Sequence, residues 1–371
     1  YKRQILTAGF YYKTFMKPKW AWMKYEYFIR HMAGLGTAPQ EPDPDVYDRR
    51  YLHCDVLIVG AGPAGLSAAR TSAASGARII LCDEDHTTGG ALLGEDVSID
   101  GMPGHQWAQA ITAELQSMEN VEVLTRTTVF NHSDHRYLVA VSDNPEPDVA
   151  RKTLLKIRAG QLILATGSIE STQLFDGNDQ PGVMLAGSVR TYIQRYGVKP
   201  GDQAVICTNN DSAYASIPVM IKAGIAIHAV IDIRGGASEQ ALKMAADADV
   251  EVLFSHRLTR ARGRGRVASV EAQPVDGGRT RRFSCDLVCM AGGWTPTVHL
   301  FSQNGGKLVF DDRLATLIAD KESHAARVIG SADGRFDLQS CLESGHDATN
   351  DALGLSGPVD ITVDQDIPVQ T

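Results

Sequence analysis

The sequence predicts an α/β fold of two Rossmann-type dinucleotide units, with a small antiparallel β meander set into the first. Three observations predict it. "VLIVGAGPAGL", 56–66, carries an apolar strand into a glycine turn and a helix. "GQLILATGS", 160–168, is a second buried strand ending on small residues. Residues 201–233 repeat strand, helix and strand in "DQAVICTN", "AYASIPVMIKAG" and "AIHAVIDI". The 371 residues suffice for two or three cores. Hydrophobic residues at 43% and charged residues at 22% are the composition of a soluble globular protein. No apolar run is long enough to cross a membrane. A net charge of −8 argues against nucleic acid as the main partner.

Residues 1–36 stand apart, with ten of the chain's 25 aromatic residues and seven Lys or Arg before His31. Pro18 interrupts this segment and no clean apolar stripe follows it, which disfavours a helix lying on a membrane. It is expected to pack on its own domain or to dock onto another domain or subunit. The chain opens on Tyr1 with this pattern soon running, so it reads as a piece of something longer. "TAPQEPDPDVYDRR" reads as a linker because its prolines deny it a helix or a central strand.

The first unit takes a strand at Val56–Val59, a helix from Pro63 to about Ser75, and a strand at Arg78–Cys82. "VEVLTRTTVF" and "RYLVAVSD" alternate as a meander should. Strands follow in "VEVLFSHRLTRARGRGRVASVEAQ" and "RRFSCDLVCMAGGW", with the ARGRGR run at 261–266 as a charged hairpin turn. A last helix spans about 338–353. The expected domains are 1–50 (arm and linker), 51–170 with 287–355 (discontinuous Rossmann domain), 171–286 (inserted second unit) and 356–371 (tail).

Gly60-Ala61-Gly62-Pro63-Ala64-Gly65 carries the chemistry. Gly60 permits the turn, Gly62 lets a pyrophosphate approach the backbone, and Gly65 lets helix and strand close together. The helix start, with Pro63 at its first turn, holds phosphate charge. Asp83, ending the second strand, can accept both hydroxyls of an adenosine ribose and would repel a 2′-phosphate, favouring NAD over NADP. Glu84 beside it either assists or is solvated. "LATG" at 164–167 passes close to the same nucleotide. In "VIGSADG", 328–334, Ser331 stands where two-dinucleotide flavoproteins carry the acid for a flavin ribityl chain, and Asp333 comes two residues late. This argues against FAD in the first site.

The second unit lacks its glycines. "TNNDSA", 208–213, stands where a phosphate loop is due. Asn209 and Asn210 can adopt a left-handed turn, but their side chains obstruct the backbone and Asp211 would repel a pyrophosphate. Asn210, Asp211 and Tyr214 are free to cap the helix or contact another ligand, with capping by Asp211 or Ser212 the simpler expectation. Cys54, Cys82, Cys207, Cys285, Cys289 and Cys341 read as buried free thiols in a reducing compartment, without a CxxC. His132 and His135 fall in a hairpin turn expected to be solvated, and no metal site is indicated. One good nucleotide site, one failed site and no redox cysteines leave no electron path for a self-contained FAD-dependent NAD(P)H reductase.

"AGFYYKTFM", "AGLG", "HCDVLIVGAGPAGL", "GNDQPGVMLAGSVRTYIQRYGVKPG", "TNNDSAY" and "GGWTPTVHLFSQNGGKL" together resemble the alpha subunit of heterotetrameric sarcosine oxidase over nearly the whole chain. The resemblance implies a glutathione-reductase-like fold and a cytoplasmic complex with beta, gamma and delta subunits. It also implies a ferredoxin-like domain before this region and a folate-binding aminomethyltransferase-like domain after it. Sarcosine would be oxidised at an FAD on the beta subunit, with electrons passing through an interfacial FMN to oxygen. The products would be glycine, hydrogen peroxide, and formaldehyde or methylene-tetrahydrofolate. This region would hold NAD noncovalently and contain no amine-oxidation site. The implied NAD contacts are Gly60, Gly62, Ala64, Gly65, Asp83, Glu84, Gly90, Ala91, Val129, Thr166, Gly167, Ser331, Ala332, Phe336 and Leu338. Ala91 replaces an expected threonine. Opine oxidases and dye-linked proline dehydrogenases use similar alpha chains and stay open as alternatives.

Overall fold

A computed structural model describes residues 17–34, 40–146, 149–320, 326–359 and 361–366. It divides into two units, 1–46 and 47–371. In the first, a 3-10 turn (Lys19–Ala21) follows Pro18 and leads into α1 (Trp22–Met32), none of whose residues is buried. Arg30 Nε donates to Glu26 Oε1 at 2.6 Å one turn away, worth a few tenths of a kcal/mol on an isolated helix. The "AGFYYKTFM" stretch lies outside the described residues.

The large unit opens with β1 (Tyr47–Val59), α2 (Pro63–Ala74) and β2 (Ile79–Cys82). Next come α3 (Gly104–Gln116), β3 (Val121–Leu124), β4 (Thr127–Ser133), β5 (Tyr137–Asp143) and β6 (Lys152–Leu164). β1 corrects the linker expectation: Tyr47–Arg50 already pairs with Lys152–Leu155 of β6. The prolines that deny a strand, Pro39, Pro42 and Pro44, all lie upstream of this pairing. The sheet order is β3-β2-β1-β6-β5-β4, parallel through β6 and antiparallel across the meander. A short strand late in the chain, Arg327–Val328, pairs in parallel with the end of β6.

Strand alternation decides the two cores. Val56 and Ile58 face a layer containing Leu66, Trp107 and Leu342, whereas Leu57 and Val59 face Leu138, Ile157 and Phe301. Both faces being covered, the strand reads as a continuous apolar run, as parallel strands do.

The second group holds β7 (Ser168–Glu170), β8 (Val183–Leu185), α4 (Ala186–Gln194), β9 (Gln203–Thr208), α5 (Ser216–Lys222) and β10 (Ala226–Asp232). It continues with α6 (Glu239–Asp247), β11 (Val252–Leu253), β12 (His256–Arg262), β13 (Ser269–Pro274), β14 (Arg281–Ser284) and β15 (Leu287–Ala291). A parallel sheet in the order β8-β15-β9-β10-β11 forms here, and β12–β14 make a three-stranded antiparallel sheet. β15 is a second correction. Leu287–Ala291 is expected with the first domain, but it lies between β8 and β9 in the second sheet, where apolar side chains on both faces bury it completely. The chain returns through β16 (Trp294–Pro296), antiparallel to β7, then α7 (His299–Gln303), β17 (Arg327–Val328) and α8 (Leu338–Leu353). No helix among the described residues is long and apolar enough to cross a membrane.

Candidate dinucleotide-binding site

Register builds the site. Val59 stands opposite both Cys82 and Leu164, so β1, β2 and β6 end at one level. Gly60, Asp83 and the Ala165-Thr166 pair therefore leave the sheet side by side. Gly60 has φ +101°, and a Cβ there would run into the Ala165 carbonyl. A Cβ on Gly65 would run into the Gly60 carbonyl, so α2 reaches its place only with glycine there. Gly62 differs: it precedes α2 and nothing lies within 4 Å of where its Cβ would stand. The chain is thus bare where a pyrophosphate would come close, as the motif requires.

Asp83 is tied to that turn. One carboxylate oxygen accepts the Ala61 N–H at 2.6 Å and the other the Asp85 N–H at 2.8 Å. Burial raises its pKa, while these two hydrogen bonds act in the opposite direction. Each oxygen keeps lone-pair capacity for a ribose hydroxyl. Glu84 beside it is exposed. Gly90, with φ +54°, sets the 89–91 turn against Gly62: a Cβ on Gly90 would stand 3.0 Å from the Gly62 Cα. Thr166 donates its hydroxyl to the Thr297 carbonyl at 2.6 Å.

Of the fifteen predicted contacts, all but Gly65 and Ala332 line one cavity of about 940 Å³. Those two stand behind it, Gly65 closing helix on strand and Ala332 fully buried. Ser331 lines the cavity, but Asp333 does not and faces Arg335 at 3.5 Å. Glu95, Ser212, Trp294, His299, Gln303 and Asp366 line the same cavity and are not among the fifteen predicted contacts. Trp294 Nε1 donates to Ser212 Oγ at 2.9 Å, joining the β7–β16 pair to the turn after β9 along the cavity wall.

The second crevice is filled by its own side chains. Asn210 caps the turn that follows, in place of Asp211 or Ser212. Its backbone is extended (φ −152°), and its side-chain oxygen accepts the Ser212 N–H at 3.0 Å. Asn209 is stitched across the crevice, N–H to the Ala291 carbonyl at 3.3 Å and Nδ2 to the Gly292 carbonyl at 3.2 Å. Neither asparagine takes the left-handed turn that was open to it. Asp232 ends β10 as Asp83 follows β2, but it is fully buried and accepts from Tyr214 Oη at 2.9 Å and Arg234 Nη2 at 2.8 Å. Arg234 also donates to Asp211 at 2.6 Å. Burial raises the Asp211 pKa, yet the Ser238 and Arg234 hydrogen bonds prevail and hold it low. The acid that could take a ribose is thus engaged by an internal guanidinium. A cavity of only about 180 Å³ remains beside Asn209 and Arg313, too small for a dinucleotide.

His132 corrects the solvated-turn expectation. His135 does sit in the β4–β5 turn, at φ +58°. His132 is buried, with Nδ1 against the Leu300 carbonyl at 3.0 Å and Nε2 against Asn304 Nδ2 at 3.2 Å. It fastens α7 to β4, two elements that both line the cavity. The six cysteines are free and buried. Burial pushes Cys54, Cys285 and Cys341 up to about 12, so these thiols stay protonated at neutral pH.

Residues 54–207 match the family described as Pyridine nucleotide-disulphide oxidoreductase. The sarcosine oxidase alpha chain of Rhizobium meliloti (strain 1021) is 40% identical over 354 residues, 92% of this chain and 34% of that protein. A subunit of opine oxidase from Agrobacterium tumefaciens (strain Ach5) is 27% identical over 185 residues, 48% of this chain and 36% of that protein. The crystal structure of T. acidophilum thioredoxin reductase superposes with a TM-score of 0.65 at 17% identity, covering 80% of this chain and 96% of that one. At that identity the likeness is one of fold. The chain spans about a third of the length of the curated relatives it matches.

Proposed function

The chain has a pyridine nucleotide-disulphide oxidoreductase fold and is a relative of sarcosine oxidase alpha subunits over 92% of its length; on that premise we propose that it is the NAD-binding region of the alpha subunit of a multi-subunit, flavin-dependent sarcosine oxidase. The reading rests most on one asymmetry. Three strand ends in register gather the glycine turn, Asp83 and Thr166 around a cavity of about 940 Å³, while the matching crevice is closed by Asn209, Asp232 and Arg234. Among the described residues, the matching crevice offers a nucleotide held in the first place no second one to exchange electrons with.

NAD fits the residues present. Gly62 and the start of α2 would take the pyrophosphate, Asp83 the adenosine ribose, and Val129 the neighbouring wall. Nicotinamide supplies hydride transfer where it is used; here the chain's own residues bind, orient and enclose. Amine oxidation belongs to the rest of the assembly, with tetrahydrofolate on a further domain of the alpha chain, and FAD and FMN on or beside the beta chain. Sarcosine and oxygen would yield glycine and hydrogen peroxide, the methyl carbon leaving as formaldehyde where water takes it up, or as methylene-tetrahydrofolate where tetrahydrofolate does. The wider match to the sarcosine enzyme, 92% of the chain against 48% for the opine enzyme, favours sarcosine.

The test is direct. The purified chain is denatured and the released nucleotide identified by mass, alongside a visible absorption spectrum. NAD with no flavin band is expected. Released FAD, with turnover of NAD(P)H by a dye, would instead make the chain a self-contained reductase.

A further inference from the structure

A buried acidic cluster lies behind the cavity wall, outside the proposed dinucleotide contacts. Glu170, the last residue of β7, is 7% exposed. Its Oε2 accepts the Gly187 N–H at 2.8 Å in the first turn of α4, and its Oε1 has no hydrogen-bond partner among the described residues. The titratable and charged groups facing it come from three elements: Arg190 of α4, Glu95 of the loop after the 89–91 turn, and Cys289 of β15. Arg190 is fully buried. Glu95 holds it with two bonds of 2.7 and 2.8 Å, and Ser216 Oγ and the Ser212 carbonyl accept from Nη1 at 2.9 and 3.2 Å.

This arrangement has room for one negative charge. Glu95 already balances Arg190, and the buried Cys289 thiol stays protonated. Ionised Glu170 would leave the cluster with an uncompensated buried charge, which a low-dielectric interior resists. Burial accordingly carries its pKa up to about 7, with Arg190 and the Gly187 N–H pulling the other way. The cluster is also connected to the cavity. Glu95, Ser212 and Trp294 line it, and Trp294 stands opposite Glu170 in the β7–β16 pair.

We propose that Glu170 is a proton-binding residue coupled to the cavity, holding its proton more tightly when a dinucleotide fills that cavity. The inference rests on the dinucleotide reading above. A bound dinucleotide would displace screening water from Glu95 and bring the negative charge of its pyrophosphate into the cavity that Glu95 lines. Both effects disfavour the carboxylate form of Glu170. By linkage, binding takes up a proton, and affinity is highest below the free-state pKa and falls as pH rises through it.

Calorimetric titration with NAD+ of the chain first freed of bound nucleotide and refolded tests this, at about pH 6 and about pH 8.5 and in two buffers of different ionisation enthalpy. Binding is expected to be about 3- to 10-fold weaker at the higher pH, with uptake of part of a proton near neutrality. Glu170→Gln keeps an acceptor for Gly187 and mimics the neutral acid, so the uptake should vanish and binding stay tight. Uptake that persists in Glu170→Gln, or pH-independent binding in the parent, overturns the proposal. Tryptophan fluorescence supplies a readout without ligand: a transition near neutral pH, lost in Glu170→Gln and in Trp294→Phe. If NAD+ binds at no pH, the dinucleotide reading fails; the fluorescence transition then upholds a proton on Glu170, and its absence overturns it.

Discussion

Asp83 and Gly65 show how single positions set the site. Asp83 does two jobs: it orders the glycine turn through the Ala61 N–H and leaves lone pairs toward the cavity. Asp83→Ala should therefore lose NAD by more than about 100-fold, at a stability cost of about 3–4 kcal/mol for the two lost hydrogen bonds to a charged acceptor. Equilibrium binding and a thermal melt measure the two separately, and retained NAD would contradict the ribose assignment. Gly65 touches no ligand but cannot carry a side chain, because the Gly60 carbonyl fills the space. Gly65→Ala should cost about 1–3 kcal/mol in urea unfolding and weaken NAD by displacing the turn. Both residues were legible in the sequence, since motif spacing reports backbone constraints within one strand–turn–helix unit. Asn210 was only half legible. A polar loop announces a cap, but which of three adjacent polar side chains turns back depends on where Asp211 finds Arg234.

At the scale of elements, α7 is a five-residue helix that cannot hold itself, and His132 of β4 anchors it. Burial lowers the pKa of His132, so its neutral form belongs to the fold. The sign follows: the unfolded chain takes up the proton first, so this contribution is whole above the ordinary histidine pKa and is lost as pH falls below it. Glu170, whose pKa is raised, acts in the opposite sense between its ordinary value and about 7. A non-titrating variant separates them. The stability difference between the parent and His132→Asn, measured by urea unfolding, should shrink between about pH 7.5 and about pH 5.5. A constant difference would show that His132 does not titrate with unfolding. The hairpin was legible from alternation. The burial of His132 was not, because α7 lies far along the chain, beyond the whole second group of strands.

For the whole molecule, two arginines at the end of α4 and within it tie one sheet system to the other. Arg195 pairs with Asp85 at 2.7 and 3.1 Å and holds that carboxyl down to about 2, and Arg190 pairs with Glu95. Arg190→Ala would leave Glu95 and Glu170 facing each other without a cation, at an expected cost of about 3–5 kcal/mol. Calorimetry should show a lower melting temperature and weaker NAD binding together, since Glu95 belongs to the cavity wall. An unchanged melt would mean the pair is idle. What the sequence determined by itself is the α/β class, the glycine cradle with its acid, and the absence of glycines from the second loop. Each is a matter of neighbours along the chain, where spacing and side-chain size suffice. The tertiary structure alone decided that β15 lies inside the second sheet, that Asp232 is neutralised by Arg234, and that Glu95, Trp294 and Asp366 reach one cavity. Those outcomes depend on strand order and on charges meeting across long loops, and no local pattern encodes either.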